Sequence, residues 1–431
     1  MKVLLALILA YTTFQVHLPS YLGIPGVNVI NILVAVAFVI IFLVGRRGER
    51  LDRPMLAGPM LAYFAAMILA TVIAVAARQD NLMDDLTYLK TTLFYPLFYL
   101  LFYYGIRTRR EVWRLVALGL VLAVLAAGEA WWQAIELGVG IYEESHRAWG
   151  PFGENHRSSN LAGLFYAMFV PVFASLLVLQ RSSTALRVVA AIALVITLGA
   201  VVFTYSRSAY AVTLIALALV AWKRGVGTIA VLALMGMLAL PFLPEGATQR
   251  VQETQVVDEH GMVRLEESAA SRPEIWAGAL EMWSRAPMGV GHGRFPEEIG
   301  HYSDHAGMDA HNFFVLTLAE AGVFGLLALV WLVARLWRLG RWMTWWSTSD
   351  LAAIVTWSFQ AMLICIVLGN MFSSFFREGA LMGMVWALAG SLERLTQISY
   401  EEAMEEAGEA GEPGTDTQDA DIGMASSGST A

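Results

Sequence analysis

The sequence predicts an all-α polytopic membrane protein of about twelve transmembrane helices with one long external loop. Three observations lead there. The 431 residues are 57% hydrophobic and only 15% charged, where soluble domains are nearer 45–50% apolar and about 25% charged. Apolar stretches near the length of about 20 residues that a bilayer demands recur along the chain. Lys and Arg fall mainly in alternate connections between those stretches, as the positive-inside bias requires.

The stretches run at roughly 2–18, 27–45, 54–77, 88–106, 112–137, 158–179, 186–205, 208–222, 226–243, 312–334, 350–370 and 377–394. The first is short and follows Lys2, like a signal peptide. No small-residue cleavage site follows Gln15-Val16-His17, so it reads as a retained span. The chain thus divides into nine spans (1–243), an external loop (244–311), three further spans (312–395) and an acidic tail (396–431) expected to be disordered and cytoplasmic.

With the N-terminus inside, 17 of the 28 basic residues lie on the cytoplasmic side, from Lys2 to Arg394. The net charge of −8 belongs to the tail. Residues 401–431 hold nine acids and no Lys or Arg, so the remainder carries 28 basic against 27 acidic residues. No nucleic-acid partner is expected of this nearly neutral body. The single cysteine, Cys365, excludes an intrachain disulfide. External basic residues run against the charge bias and need a separate reason. They are Arg78, Lys90, Arg147, Arg157, Arg207, Arg377 and five arginines of the long loop.

The acidic turn 78–85 reads first as a solvated connection, with Asp84 and Asp85 as alternative base or metal ligands. Glu129 lies inside the fifth span and must meet a partner or a cavity. In the next external loop, Gly150, Pro151 and Gly153 make tight turns before Asn155, His156, Arg157, Ser158, Ser159 and Asn160 enter the sixth span. Such donors at a helix N-terminus suit either a cap or an anion. At Ser206-Arg207-Ser208 two spans meet, and an inward Arg207 would offer its planar fork to phosphate. In the long loop, Ser271 and Glu274 fit a capping box. Trp276, Leu280 and Trp283 then share one face suited to a membrane surface. Arg272 falls in that helix's first turn, where a cation opposes the dipole and suits an anion. Gly289, Gly291 and Gly293 surround His292 and permit close backbone approach. Arg377-Glu378 reads as a surface pair, with Arg377 also a candidate ligand contact.

The stretch Asp309-Ala310-His311-Asn312-Phe313-Phe314 is the pivot. A polar loop ends and a long apolar helix begins, so His311 is expected on its first turn at the water boundary. Val315, Leu318, Gly322 and Gly325 fall on its face at about 100° per residue, with Glu320 opposite. The two glycines leave room for a neighbouring helix backbone.

Four segments occur in fixed order. They are Asn155 to Ala162 after a Gly-Pro-Phe-Gly turn; Thr204-Tyr205-Ser206-Arg207-Ser208-Ala209; Ser271-Arg272 with Pro287-Met288-Gly289-Val290-Gly291-His292-Gly293; and His311-Asn312 with Glu320-Ala321-Gly322-Val323-Phe324-Gly325. Together they resemble the O-antigen ligase and Wzy polymerase family over roughly residues 150–330. The resemblance implies a metal-independent glycosyltransferase of the bacterial inner membrane, without a cofactor and with its site facing the periplasm. Its donor would be a glycan on undecaprenyl pyrophosphate. Its acceptor would be lipid A–core, a growing polysaccharide or a protein. His311 would be catalytic, Arg207 a phosphate contact and Arg272 a pyrophosphate contact. The family's asparagine or glutamine falls on Asn155 or Asn160; from the residues themselves, His156, Arg157, His292 and Arg377 are further candidate substrate contacts.

The implied chemistry agrees with the residue-level reading. A pyrophosphate leaving group needs fixed positive charge, which arginines supply, and a hydroxyl nucleophile needs a base that histidine provides near neutrality. Two competing readings are a lipid-sugar transferase using Asp84 or Asp85, and a transporter or flippase. A transporter predicts repeated halves and mid-membrane polar residues, whereas the polar residues here collect at one face.

Overall fold

The computed structural model describes residues 1–18, 27–44, 53–77, 82–138, 143–153, 156–180, 183–239, 241, 244–252, 255–257, 263–265 and 267–411. Asn155, the turn residues Arg78 to Asn81, the loop Asp258-Glu259-His260-Gly261 and the tail from Glu412 lie outside the described residues.

The apolar stretches are helical. They form α1 (Lys2–Thr13), α2 (Val29–Val44), α3 (Ala57–Ala77), α4 (Leu82–Phe94), α5 (Leu97–Gly105), α6 (Arg109–Leu137), α7 (His156–Val178), α8 (Thr184–Phe203), α9 (Arg207–Arg224) and α10 (Val226–Ala239). The long loop holds α11 (Glu245–Gln252), an antiparallel pair β1 (Gln255–Val257) and β2 (Val263–Leu265), α12 (Glu267–Arg285) and α13 (Phe295–Glu298). The last helices are α14 (Phe313–Trp345), α15 (Asp350–Asn370) and α16 (Gly379–Gly411). Among the described residues, α3, α6, most of α7, α8, α14 and α15 are each long and apolar enough to cross a membrane.

Three elements differ from the sequence expectation. The stretch expected at 88–106 is two helices, because Pro96 lacks an N–H to continue the ladder and α5 restarts beside it. The helix α12 begins at Glu267, so Ser271 lies inside it, buried, instead of capping it. The dipole argument for Arg272 therefore lapses, since it is a full turn past the helix start. Finally, residues 396–411 are helical where disorder was expected, because Glu and Ala continue a helix readily. Arg109 donates to Ser399 and Glu402 there, Arg394 pairs with Glu401 at 3.2 Å, and Trp346 stacks edge-on against Tyr400.

The bundle is built around α7, which packs against α8, α9 and α15 and is buried on nearly all sides. A helix apolar all round demands that position. Gly163 of α7 lies against Ala209, Thr204 and Ser206, drawing the α8–α9 turn onto the start of α7. Around this centre α14 packs on α3 and α15, and α16 packs on α5 and α6. Glu393 of α16 accepts from Tyr99 at 2.6 Å and from the Met55 backbone at 2.9 Å, and Arg335 of α14 donates to the Met55 carbonyl at 3.1 Å.

Candidate active site

Asn312, not His311, starts α14. Its carboxamide accepts from the backbone N–H groups of Phe314 and Val315, at 3.0 and 3.2 Å, as a helix cap does. His311 thus stands just outside the helix, in the left-handed region at φ 48°. A non-glycine residue there costs about 1–2 kcal/mol. The surroundings hold it. Asp309 Oδ1 accepts from the His311 backbone N–H at 3.1 Å and from Ser374 Oγ at 2.7 Å. One residue on, the Ala310 carbonyl accepts from the Trp276 indole at 2.8 Å. Trp276 lies one helical turn beyond Arg272 on α12, so the same contact brings Arg272 to His311. The neighbouring face of α12, formed by Ile275, Ala279 and Met282, is buried, while Leu280 is exposed.

His311 is half-buried and faces three charges. Burial lowers its proton affinity first; Asp309 raises it, and Arg272 and Arg157 lower it further. The result lies below the ordinary imidazole value, so the ring is neutral near pH 7 and able to accept a proton. Arg157, in the first turn of α7, reaches Asp309 Oδ2 at 3.6 Å and Glu378 at 2.9 Å, and lies over the Phe375 ring. Half its side chain is exposed, which leaves it open to a ligand. The Arg377-Glu378 surface pair is therefore not what forms: Glu378 takes Arg157, and Arg377 turns inward.

Arg207 is the first residue of α9, where a cation opposes the helix dipole. The preceding turn is held firmly. Tyr205 is left-handed at φ 48°, and buried Arg147 donates to the Thr204 carbonyl at 2.9 Å and to Asn160 at 2.6 Å. Asn160 is thus engaged by Arg147, a residue that sequence reading noted only as an exception to the charge bias. His156 opens α7. The structure therefore brings His311, Arg272 and Arg157 together, and sets Arg207 at the same end of the bundle through the packing of its turn on α7.

His292 and Arg377 occupy a second, interior cluster. His292 is buried, with Nε2 on Thr92 at 2.9 Å, Nδ1 on Glu320 at 3.2 Å, and its ring against Tyr88. Arg377 lies over Tyr88 at 4.1 Å and approaches Glu320 at 4.0 Å. The glycines make this possible. Helix α14 breaks at Gly322, whose φ 65° and ψ −166° suit glycine alone. The freed carbonyls of Ala319 and Glu320 accept from the backbone N–H groups of Val290 and Gly291, at 2.9 and 3.0 Å. A Cβ at Gly322 would lie 2.4 Å from the Pro287 oxygen, and one at Gly289 2.3 Å from the Glu320 oxygen. The close neighbour anticipated at Gly322 is this loop backbone instead of another helix.

Of the remaining acids, Asp84 is exposed, and Asp85 and Glu129 are accounted for by packing. Asp85 is buried and pairs with Arg294 at 2.8 Å, which ties α4 to the long loop and leaves that carboxylate committed. Glu129 meets His17 at 2.7 Å and Gln133 at 3.3 Å, joining the end of α1 to α6.

Residues 192–330 match the model of the O-antigen ligase family. The matched segment contains Arg207, Arg272, His292, His311 and Glu320, and stops short of Arg377. No curated protein matches the chain. Residues 192–330, about a third of this multi-pass membrane protein, are thus similar to the O-antigen ligase family.

Proposed function

We propose that this chain is a metal-independent, inverting glycosyltransferase of the bacterial inner membrane. It moves a glycan from undecaprenyl pyrophosphate to an acceptor hydroxyl at the periplasmic face, as an O-antigen or polysaccharide ligase or polymerase. The observation that carries the reading is the arrangement around His311: a neutral imidazole in a strained backbone turn, flanked by Arg272 and Arg157. The family match supports it, because that family acts in the same class of chemistry.

In this reading twelve helices cross the membrane, with both ends inside and residues 244–311 outside. The acceptor hydroxyl transfers its proton to a ring nitrogen of His311 as its oxygen bonds the anomeric carbon from the face opposite the leaving group. The bond from that carbon to the pyrophosphate oxygen breaks, and its electron pair leaves on the pyrophosphate. Arg207 and Arg272 hold that growing charge, which fixed cations stabilise in a water-poor site. Arg157 adds an exposed cation beside the histidine. An apolar groove of about 380 Å³ between α3 and α14, lined by Ala62, Ala66, Leu327 and Trp331, suits an isoprenoid chain. It begins close to the break at Gly322 and therefore lies along α14, whose cap Asn312 follows His311.

The test is the lipid-linked glycan pool in membranes of a deletion strain complemented with wild type, His311→Ala or Arg272→Ala. Accumulation that wild type relieves and both variants leave in place is expected. Long chains stranded on the carrier identify a ligase, single repeat units a polymerase, and modified protein an O-oligosaccharyltransferase. Full rescue by His311→Ala, at normal protein level, refutes the assignment of this site.

A further inference from the structure

We propose that Asp309 is the positioning residue of His311. It fixes the backbone turn that presents the imidazole, and its carboxylate faces the charge that the imidazole acquires when it takes the acceptor's proton. The proposal rests on the reading of His311 as the base.

The geometry divides the two oxygens of Asp309 between two tasks. Oδ1 closes the turn, accepting from the His311 backbone N–H at 3.1 Å, and is itself fixed by Ser374 Oγ at 2.7 Å from the connection between α15 and α16. Oδ2 faces Arg157 at 3.6 Å. The carboxylate is therefore tied to three segments distant in sequence: its own loop, the α15–α16 connection and the start of α7. A residue left-handed at φ 48° needs such external constraint, because histidine does not favour that conformation by itself.

The charges support the second task. The groups facing His311 are Asp309 on its own turn, Arg272 from α12 and Arg157 from α7. Two of the three are cations, placed to receive an anionic donor. They oppose a positive imidazole, and Asp309 alone among them favours it. A base surrounded only by burial and arginines would hold a proton poorly. Asp309 offsets that without becoming a proton acceptor: the proton resides on His311 and leaves to water after transfer.

The two tasks separate by substitution. Asp309→Asn keeps an oxygen to accept from His311 and Ser374 and removes only the charge. Asp309→Ala removes both. The assay is the rate at which native lipid-linked glycan disappears in isolated membranes carrying each variant, measured across pH. His311→Ala runs alongside, and a thermal midpoint verifies each fold. For Asp309→Asn the acid limb of the rate moves to lower pH and the plateau falls several-fold. For Asp309→Ala the plateau falls further, up to about 10²-fold, as misplacement of a reacting group does. An Asn variant whose acid limb coincides with that of wild type overturns the proposal while His311→Ala, still inactive, keeps the underlying reading. An Asn variant as inactive as His311→Ala also overturns it, since a positioning residue leaves residual turnover. Full activity in His311→Ala removes the underlying reading, and this proposal with it.

Discussion

Replacing Gly322 by Ala tests whether the break in α14 is a required feature of the fold. The residue sits at φ 65° and ψ −166°, a region open essentially to glycine, and forcing alanine there costs about 1–3 kcal/mol. Its Cβ would lie 2.4 Å from the Pro287 oxygen and 2.8 Å from the Met288 carbonyl carbon. Backbone atoms cannot turn aside as a side chain does, so the loop must retreat. Retreat strains the two bonds from Val290 and Gly291 to the Ala319 and Glu320 carbonyls, each worth about 0.5–1.5 kcal/mol. Together the loss is about 2–6 kcal/mol. In detergent the apparent thermal midpoint should fall by roughly 5 °C, scaling from ordinary unfolding entropies. Gly128→Ala is the internal control, because it lies within α6 with nothing within 4 Å of an added Cβ. It should hold or gain about 0.5–1 kcal/mol. Equal midpoints for the two variants would refute the account of the break.

His311→Ala should lower transfer by about 10²–10⁴-fold, the usual worth of a general base, with thermal stability little changed. In kcat/KM, which reports the free enzyme, the rate should rise with pH along an acid limb lying below 6.5, because burial and two arginines depress proton binding at His311 and only the neutral ring accepts a proton. A limb above that value would contradict the electrostatics described. Asp85→Leu should cost less than the about 3–5 kcal/mol of a fully stranded buried charge, because Glu297 still holds Arg294 at 3.2 Å, while Asp85→Leu combined with Arg294→Leu recovers much of the loss and retains transfer. Loss of transfer in a stable double variant would restore Asp85 as a candidate base. Arg207→Lys should retain less activity than charge alone explains, since an ammonium cannot reproduce the planar fork; equal rates for Lys and Arg would argue against bidentate phosphate contact.

Much of the fold was legible because helices in a membrane are written in local composition. Each apolar stretch became helical, and Asn312 and Thr108 cap α14 and α6 as their residue types lead one to expect. The break at Pro96 was also readable in principle, since proline has a fixed local consequence. The candidate site was legible in part. His311 and Arg207 stood out as polar residues at the edges of apolar segments, and Arg272 as a cation in the first turn of a helix that in fact begins at Glu267. The partners that organise them did not, because Asp309 meets Ser374 across 65 residues and Arg157 meets Glu378 across 221. No local pattern encodes such a pairing. Gly289, Gly291 and Gly293 did carry a signal: glycine permits positive φ and close backbone approach, and all three have positive φ here. That pattern marks a backbone laid against another backbone, which is what the Val290 and Gly291 bonds to α14 are.

The break at Gly322 divides α14 into two helical pieces that do not share one continuous register. The short piece, Phe313 to Ala321, is anchored by Trp276, the Asn312 cap and the 287–291 loop. The long piece, from Gly322 to Trp345, is placed by α3 and α15, with Trp331 against Gly58 and Gly340 against Gln360. In an unbroken helix, inserting one residue, or a modest twist, would turn His311 by about 100° away from its arginines. Here such a change is absorbed at the glycine. The rotational register of the long piece is thereby separate from the aim of the histidine.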